Sequence, residues 1–252
     1  ISEACQMSEL RIGLAVEGGT DALVLQAGLD AFLDKPFVAV QLQPEVPPGK
    51  TGAGWGGVFW WCRQVGTLGY ETLDSNPMLE HIDLAIIQID ADVAAMSYES
   101  ANISKAPNDD LPCDCPCPPA SDTVHALQKV VRGWLAPSQP GKKAVICIPS
   151  KCIEAWVAAA LYGTSDSGVL EDLECSYDIV NYLHRKPSRE RLVKMQSEPG
   201  KAPRLRKIKT RFQKAQPRIT SSWAFVTQAC PQAKAFQKAV VQAVQDTGLA
   251  RG

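Results

Sequence analysis

Three acids have the side chains and the placement for metal-ion chemistry: Glu17 and the pair Asp90 and Asp92. Each site follows directly on an apolar run, Arg11–Val16 (RIGLAV) before Glu17 and Asp83–Ile89 (DLAIIQI) before Asp90. Carboxylate oxygens are the hard donors that Mg²⁺ prefers. Several of them close together can hold ions that activate a water and stabilise a leaving oxygen in phosphoryl transfer. If Asp90 and Asp92 continue a strand, residues two apart point to one side and both can face one ion. An acid after a strand is often only a turn former or helix cap. Two such placements in one α/β unit, however, make a more specific combination than either alone. Asp21, four residues past Glu17, and Glu154, in the first turn of an expected helix, are further candidates. For Glu154 the competing reading is an acid favoured by the helix dipole.

The elements that must carry these acids follow from hydrophobic patterning. RIGLAV reads as a strand, Glu17-Gly18-Gly19-Thr20-Asp21 as a glycine turn, and Ala22–Leu33 as a helix capped by Gly19 or Thr20. Phe37–Leu42 is strand-like, and the Pro- and Gly-rich stretch Pro44–Gly57 predicts a loop, followed by a helix that carries Phe59, Trp60, Cys62 and Val65. DLAIIQI, almost wholly apolar, predicts a central parallel strand buried on both faces. A helix Asp122–Leu135, a strand Ala144–Ile148 and a helix Lys151–Leu161 complete an alternating order, which predicts a doubly wound α/β sheet. Such sheets collect ligands at the carboxyl ends of their strands, so Glu17 and Asp90 are expected to meet.

Residues 97–121, rich in Pro, Asn, Asp and Cys, form an irregular insertion longer than ordinary connections. Beyond Tyr162 the character changes. Asp166–Tyr182 is acidic and mixed, Arg185–Arg218 is strongly basic, and Ala233–Val244 has the spacing of an amphipathic helix. The expected organisation is a catalytic core over 7–161 and a helical, basic lobe over 162–252. Ile1–Gln6 precede Met7 and lie outside the first patterned segment.

The 252 residues carry a formal net charge of −1, 45% hydrophobic and 21% charged residues, an ordinary soluble composition. The balance hides an asymmetry, because half of the 26 Lys and Arg residues lie between Arg185 and Arg218. Opposite an acidic metal site, a basic stretch can clamp a phosphate backbone. Lys209, Lys214 and Arg218, with Arg206 and Arg211, are the candidates for nucleic-acid contact, against the plainer reading of a solvated charged face. Nine cysteines, with no basic start or apolar stretch of a signal peptide in Ile1–Glu9, predict reduced thiols and a cytoplasmic protein. No apolar run has the length to span a bilayer.

Val16-Glu17-Gly18-Gly19-Thr20-Asp21, Ile89-Asp90-Ala91-Asp92 and, more weakly, Ile153-Glu154-Ala155-Trp156 resemble the motifs of the Toprim superfamily, in particular the OLD-type nucleases and the small RloB-like proteins of prokaryotic defence islands. The resemblance covers residues 10–161, with a looser continuation over 209–236. It implies a Rossmann-like fold in which Glu17 is ligand or general acid/base and Asp90 and Asp92 hold Mg²⁺ or Mn²⁺. Asp21 and Glu154 are then available to a second ion. The implied activity is a metal-dependent nuclease of phage defence. The alternative is a non-catalytic module of the same fold that works with a partner such as an ATPase. No Walker motif is present, so ATP hydrolysis would fall to that partner. The insertion directly after Asp92 departs from the family pattern. A primase or topoisomerase is disfavoured, since neither a strand-transfer tyrosine context nor a primer-synthesis domain is evident.

Other motifs have weaker chemistry. Cys113, Cys115 and Cys117, with His125, could bind zinc, but their spacing departs from the usual C-x₂₋₄-C pairs. Cys62, Cys147 and Cys152 lie in apolar segments and read as core residues. Lys50–Gly57 lacks the Gly-Lys-Ser/Thr ending of a phosphate loop and reads as a mobile loop beside the site. His81, His125 and His184 show no mutual spacing for a triad or metal cluster.

Overall fold

A computed structural model describes residues 9–44, 52–105, 110–166, 168, 171–176, 178–197, 200 and 202–249. Ile1–Gln6 with Met7, Lys50 and Thr51, Lys201 and part of the 97–121 insertion lie outside the described residues. The chain runs β1 (Leu10–Ala15), α1 (Gly19–Phe32), β2 (Phe37–Gln43), α2 (Trp55–Gly66), β3 (Leu84–Gln88), α3 (Ser121–Leu135), β4 (Ala144–Cys147) and α4 (Glu154–Tyr162). It continues through α5 (Ile179–Arg185), β5 (Val193–Gln196), β6 (Arg204–Lys207), α6 (Lys209–Ser221), α7 (Trp223–Ala229) and α8 (Pro231–Asp246).

The first four strands form an all-parallel sheet in the order β2-β1-β3-β4. The fold is therefore the expected Rossmann-like α/β sheet with a mainly helical C-terminal part. Connections leave β1 toward β2 on one side and β3 on the other, so the sheet's switch point falls between the ends of β1 and β3. Every residue of β3 is buried. Leu84 and Ile86 join one core cluster with Leu10, Ile12 and Leu14 of β1, while Ala85 and Ile87 join the other. That alternation explains a strand with no polar face.

One sheet face is covered by α2 and α3, where Trp55, Phe59, Tyr98 and Trp134 pack their rings together and Trp134 Nε1 donates to the Tyr98 hydroxyl at 2.9 Å. The other is covered by α1, α4 and the C-terminal helices, with Phe32, Trp156, Trp223 and Phe236 at the centre. Helix α6 lies along α1, fixed by Gln216 Nε2 donating to Leu23 O at 3.1 Å and the Thr220 hydroxyl to Ala27 O at 2.9 Å. At Gly28 on α1 an added Cβ would stand 2.7 Å from the Trp223 ring, so a side chain there is excluded by the packing.

Four local expectations are corrected. Helix α1 is capped by Gly18 rather than Gly19 or Thr20, and α4 begins at Glu154 rather than Lys151. Lys151 takes a left-handed backbone, φ 57°, which no helical residue does. The basic segment contains an antiparallel hairpin, β5–β6, that its charge density concealed. The cysteines are not all reduced thiols, because Cys117 and Cys175 form a disulfide across 58 residues. Spacing alone does not reveal such a pairing, since the partners meet only after the insertion folds against the segment preceding α5. Among the described residues no helix is long and apolar enough to cross a membrane.

Candidate metal centre

Glu17 lies two residues beyond β1 and Asp90 two residues beyond β3, so the parallel register of the two strands brings them together. A direct hydrogen bond records this: the Asp90 N–H donates to Glu17 Oε1 at 2.7 Å. Gln88, the last residue of β3, ties both turns. Its Oε1 accepts from the Glu17 N–H at 3.3 Å and its Nε2 donates to Asp90 Oδ1 at 3.0 Å. Asp90 Oδ1 also accepts the Ile153 N–H at 3.1 Å, which anchors the start of α4. Gly54 N–H donates to Glu17 O at 2.8 Å, so the described end of the glycine-rich loop stands beside the site.

Asp92 reaches the cluster by a different route from the one its spacing suggests. The chain leaves extended geometry after Asp90 and turns into a 3₁₀ segment, Ala91–Ala95, with Asp92 in its first turn. Strand alternation therefore does not orient the pair. The turn is held by Ala91 N–H to Pro149 O at 2.9 Å and Asp92 N–H to Lys151 O at 3.2 Å.

Asp21, in the first turn of α1, and Glu154, in the first turn of α4, complete the group and are 3% and 1% exposed. Between them stands Lys207, from the end of β6. Its ammonium is 2.9 Å from Asp21 Oδ1 and 2.6 Å from Glu154 Oε1. Among the described residues, the buried Glu154 Oε1 has no partner other than that ammonium.

Charge explains the behaviour of the cluster. Burial pushes the Glu17 carboxyl up to about 8, opposed by the Asp90 N–H and reinforced by repulsion from Asp21 and Asp92. Burial and then Glu154 lift Asp92 to about 6. Asp90 is held well above the usual carboxylate range by burial and by Glu17 and Asp21, and Asp21 is raised chiefly by burial. Burial disfavours the Lys207 ammonium, but Asp21, Glu154 and Asp90 outweigh it and keep the amine charged. Among the described residues, Lys207 thus pairs with Asp21 and Glu154 and offsets Glu17, Asp90 and Asp92 through its charge, with Lys151 second in line but engaged by both oxygens of Asp114 at 2.8 Å.

Five oxygen-donor side chains suit a hard divalent cation in donor type. As they stand around Lys207, no three His, Cys, Asp or Glu side chains among the described residues are grouped to ligate one ion. The ammonium takes the place nearest Asp21 and Glu154 that a cation would need.

The zinc reading of the cysteine motif loses its donor set. Cys117 is in the disulfide, and Cys113 and His125 are exposed. That loop instead delivers Asp114 to Lys151 and is braced by Thr123 Oγ1, which accepts the Cys115 N–H at 3.0 Å.

The basic candidates do not share one surface. Lys209, at the start of α6, holds its Nζ 3.4 Å from the position a Cβ on Gly19 would take, beside the first turn of α1. Arg206 is on the solvent face of the hairpin and donates to Gln196 Oε1 at 2.9 Å. Arg211, Lys214 and Arg218 recur at helical spacing on another face of α6 and line a different groove.

Sequence reasoning missed Lys207, Gln88, Lys151 and Asp114. Two signals were present. Gln88 is the polar residue of an otherwise apolar run, and in RLRK the strand period pairs Lys207 with partly buried Leu205. No family model, curated protein or solved structure matches this chain, so the Toprim likeness rests on the motif residues alone.

Proposed function

We propose that the chain is a metal-dependent nuclease that hydrolyses phosphodiester bonds of nucleic acid with the acids at the switch point of its sheet. The observation that carries this reading is the gathering of acids: Glu17, Asp21, Asp90, Asp92 and Glu154 meet at the strand ends about the Lys207 ammonium, with four of them raised in pKa by burial and by one another. Perturbed acids gathered at strand ends favour a functional site, and oxygen donors in that number are of the type a hard cation takes.

Glu17, Asp90 and Asp92 would hold Mg²⁺ or Mn²⁺, with Asp21 and Glu154 available to a second ion. The bound metal would supply Lewis acidity for the attacking water and the leaving oxygen. Glu17 keeps Oε1 on the Asp90 N–H, which leaves its second oxygen to exchange a proton with a water. Lys207, paired with Glu154, and Lys209, beside Gly19, would meet phosphate oxygens when the acids engage a cation. The role in phage defence follows only the motif likeness.

Lys207 also favours a second reading, in which its ammonium is the permanent occupant and the chain is a non-catalytic module acting with a partner such as an ATPase. One experiment separates the two. Wild type and Asp90→Asn are incubated with plasmid, linear duplex, single strands and RNA in Mg²⁺, Mn²⁺ or EDTA. Cleavage that needs metal and is lost in the variant supports the nuclease; no cleavage of any substrate supports the module.

A further inference from the structure

The groove that takes Arg211, Lys214 and Arg218 away from the acids is a site in its own right. It encloses about 190 Å³ and is lined by these three residues with Arg189, Leu161 and Tyr162 among others. Leu161 and Tyr162 close α4, whereas Glu154 opens it. A helix of that length rises about 13 Å, and its buried body separates the two sites. The basic groove therefore cannot act as the near wall of the acidic one.

We propose that this groove binds a phosphate or polyphosphate group. Two of its guanidiniums are held in place by backbone carbonyls. Arg218 Nη2 donates to Leu161 O at 2.9 Å, and Arg211 Nη1 donates to Ser188 O at 2.6 Å and to Arg191 O. Each guanidinium has five N–H donors, so these anchors leave donors over and fix the planar fork. Lys214 has no hydrogen-bond or ion-pair partner among the described residues, and it lies between the two arginines on the same helical face. Among the described residues, the one acid in the lining, Glu190, is paired with Arg189 at 3.1 Å. Arg211, Lys214 and Arg218, with Arg189 paired to Glu190 at the rim, thus line a concavity with an excess of positive charge among the described residues. A solvated basic face would have neither the anchored forks nor the hollow. The Arg218 anchor on Leu161 O also covers one of the last carbonyls of α4, the end whose dipole would otherwise repel an anion. The shared chemistry is an oligophosphate, from a free anion, a nucleotide or the 5′-phosphate of a strand.

Calorimetric titration of the full chain in EDTA with pyrophosphate and with ATP, and anisotropy with 5′-phosphorylated and 5′-hydroxyl oligonucleotides, test this. EDTA removes any metal-held phosphate from the reading. Binding of pyrophosphate or ATP assigns a free anion or nucleotide; binding of the phosphorylated oligonucleotide alone assigns a strand end. In either case Lys214→Glu and Arg189→Glu, which hold no backbone carbonyl, each weaken it about tenfold. Asp90→Asn leaves it unchanged, so the result stands whether or not the acids catalyse hydrolysis. If wild type binds none of these anions at millimolar concentration, or both charge reversals bind as wild type does, the proposal is overturned.

Discussion

Replacing Glu17 by glutamine is expected to make the protein more stable at alkaline pH. Burial and the neighbouring acids raise the Glu17 carboxyl from 4.5 to about 8. The folded state therefore binds this proton more tightly than the unfolded state. The stability it contributes is complete below pH 4.5, declines as pH rises, and is lost above about 8. The full difference corresponds to about 5 kcal/mol at ~1.4 kcal/mol for each tenfold change. Glu17 is half-buried, and its neighbours can take the proton instead, so about 2 kcal/mol is the expected gain. Glutamine keeps an Oε1 to accept the Asp90 N–H, so that hydrogen bond survives the substitution. For a chain of this size about 2 kcal/mol corresponds to a rise in Tm of roughly 4–8 °C. Thermal unfolding in EDTA at pH 9 and pH 4 measures it. The variant should melt above wild type at pH 9 and level with it at pH 4. An equal shift at both values, or a lower Tm at pH 9, would refute the charge argument.

Lys207→Met should destabilise the fold by about 2–3 kcal/mol at pH 8, because two ion pairs to buried carboxylates are lost from a partly exposed amine. The loss should shrink in denaturant titrations as pH falls toward 4 and Asp21, whose carboxyl is raised chiefly by burial, protonates. Cys175→Ser opens a 58-residue loop in the unfolded chain and should cost up to about 4 kcal/mol, read as a lower denaturant midpoint than the non-reduced wild type. Gly28→Ala forces a methyl against the Trp223 ring and should cost about 1–3 kcal/mol, with a change in Trp fluorescence as α6 and α7 shift from α1.

The parallel sheet and the meeting of Glu17 with Asp90 were legible because both rest on local signals: apolar runs of strand length, a glycine turn, and the rule that strand ends gather ligands. Asp21 and Glu154 were legible as first-turn acids of helices that start at those ends. The orientation of Asp92 was not, because it depends on the 3₁₀ turn that Pro149 O and Lys151 O hold, two acceptors on a loop more than fifty residues away. Lys207 was hidden for a related reason. Thirteen basic residues look alike in composition, and only the hairpin register separates the one that turns inward from Arg204 and Arg206, which face solvent. The split of the basic candidates between two faces of α6 was available from helical spacing, since Lys209 lies far around the helix from Lys214. Which face meets the acids is decided by the packing of α6 on α1.

The proposed metal site requires that the acid cluster take a divalent cation although Lys207 stands within it. Titration of Mn²⁺ followed by electron paramagnetic resonance, at pH 8 on wild type and Asp90→Asn, tests this most directly. Bound Mn²⁺ in wild type that is lost in the folded variant is the predicted result. Free Mn²⁺ throughout, up to millimolar concentration and with wild type folded, would contradict it and leave Lys207 as the resident cation.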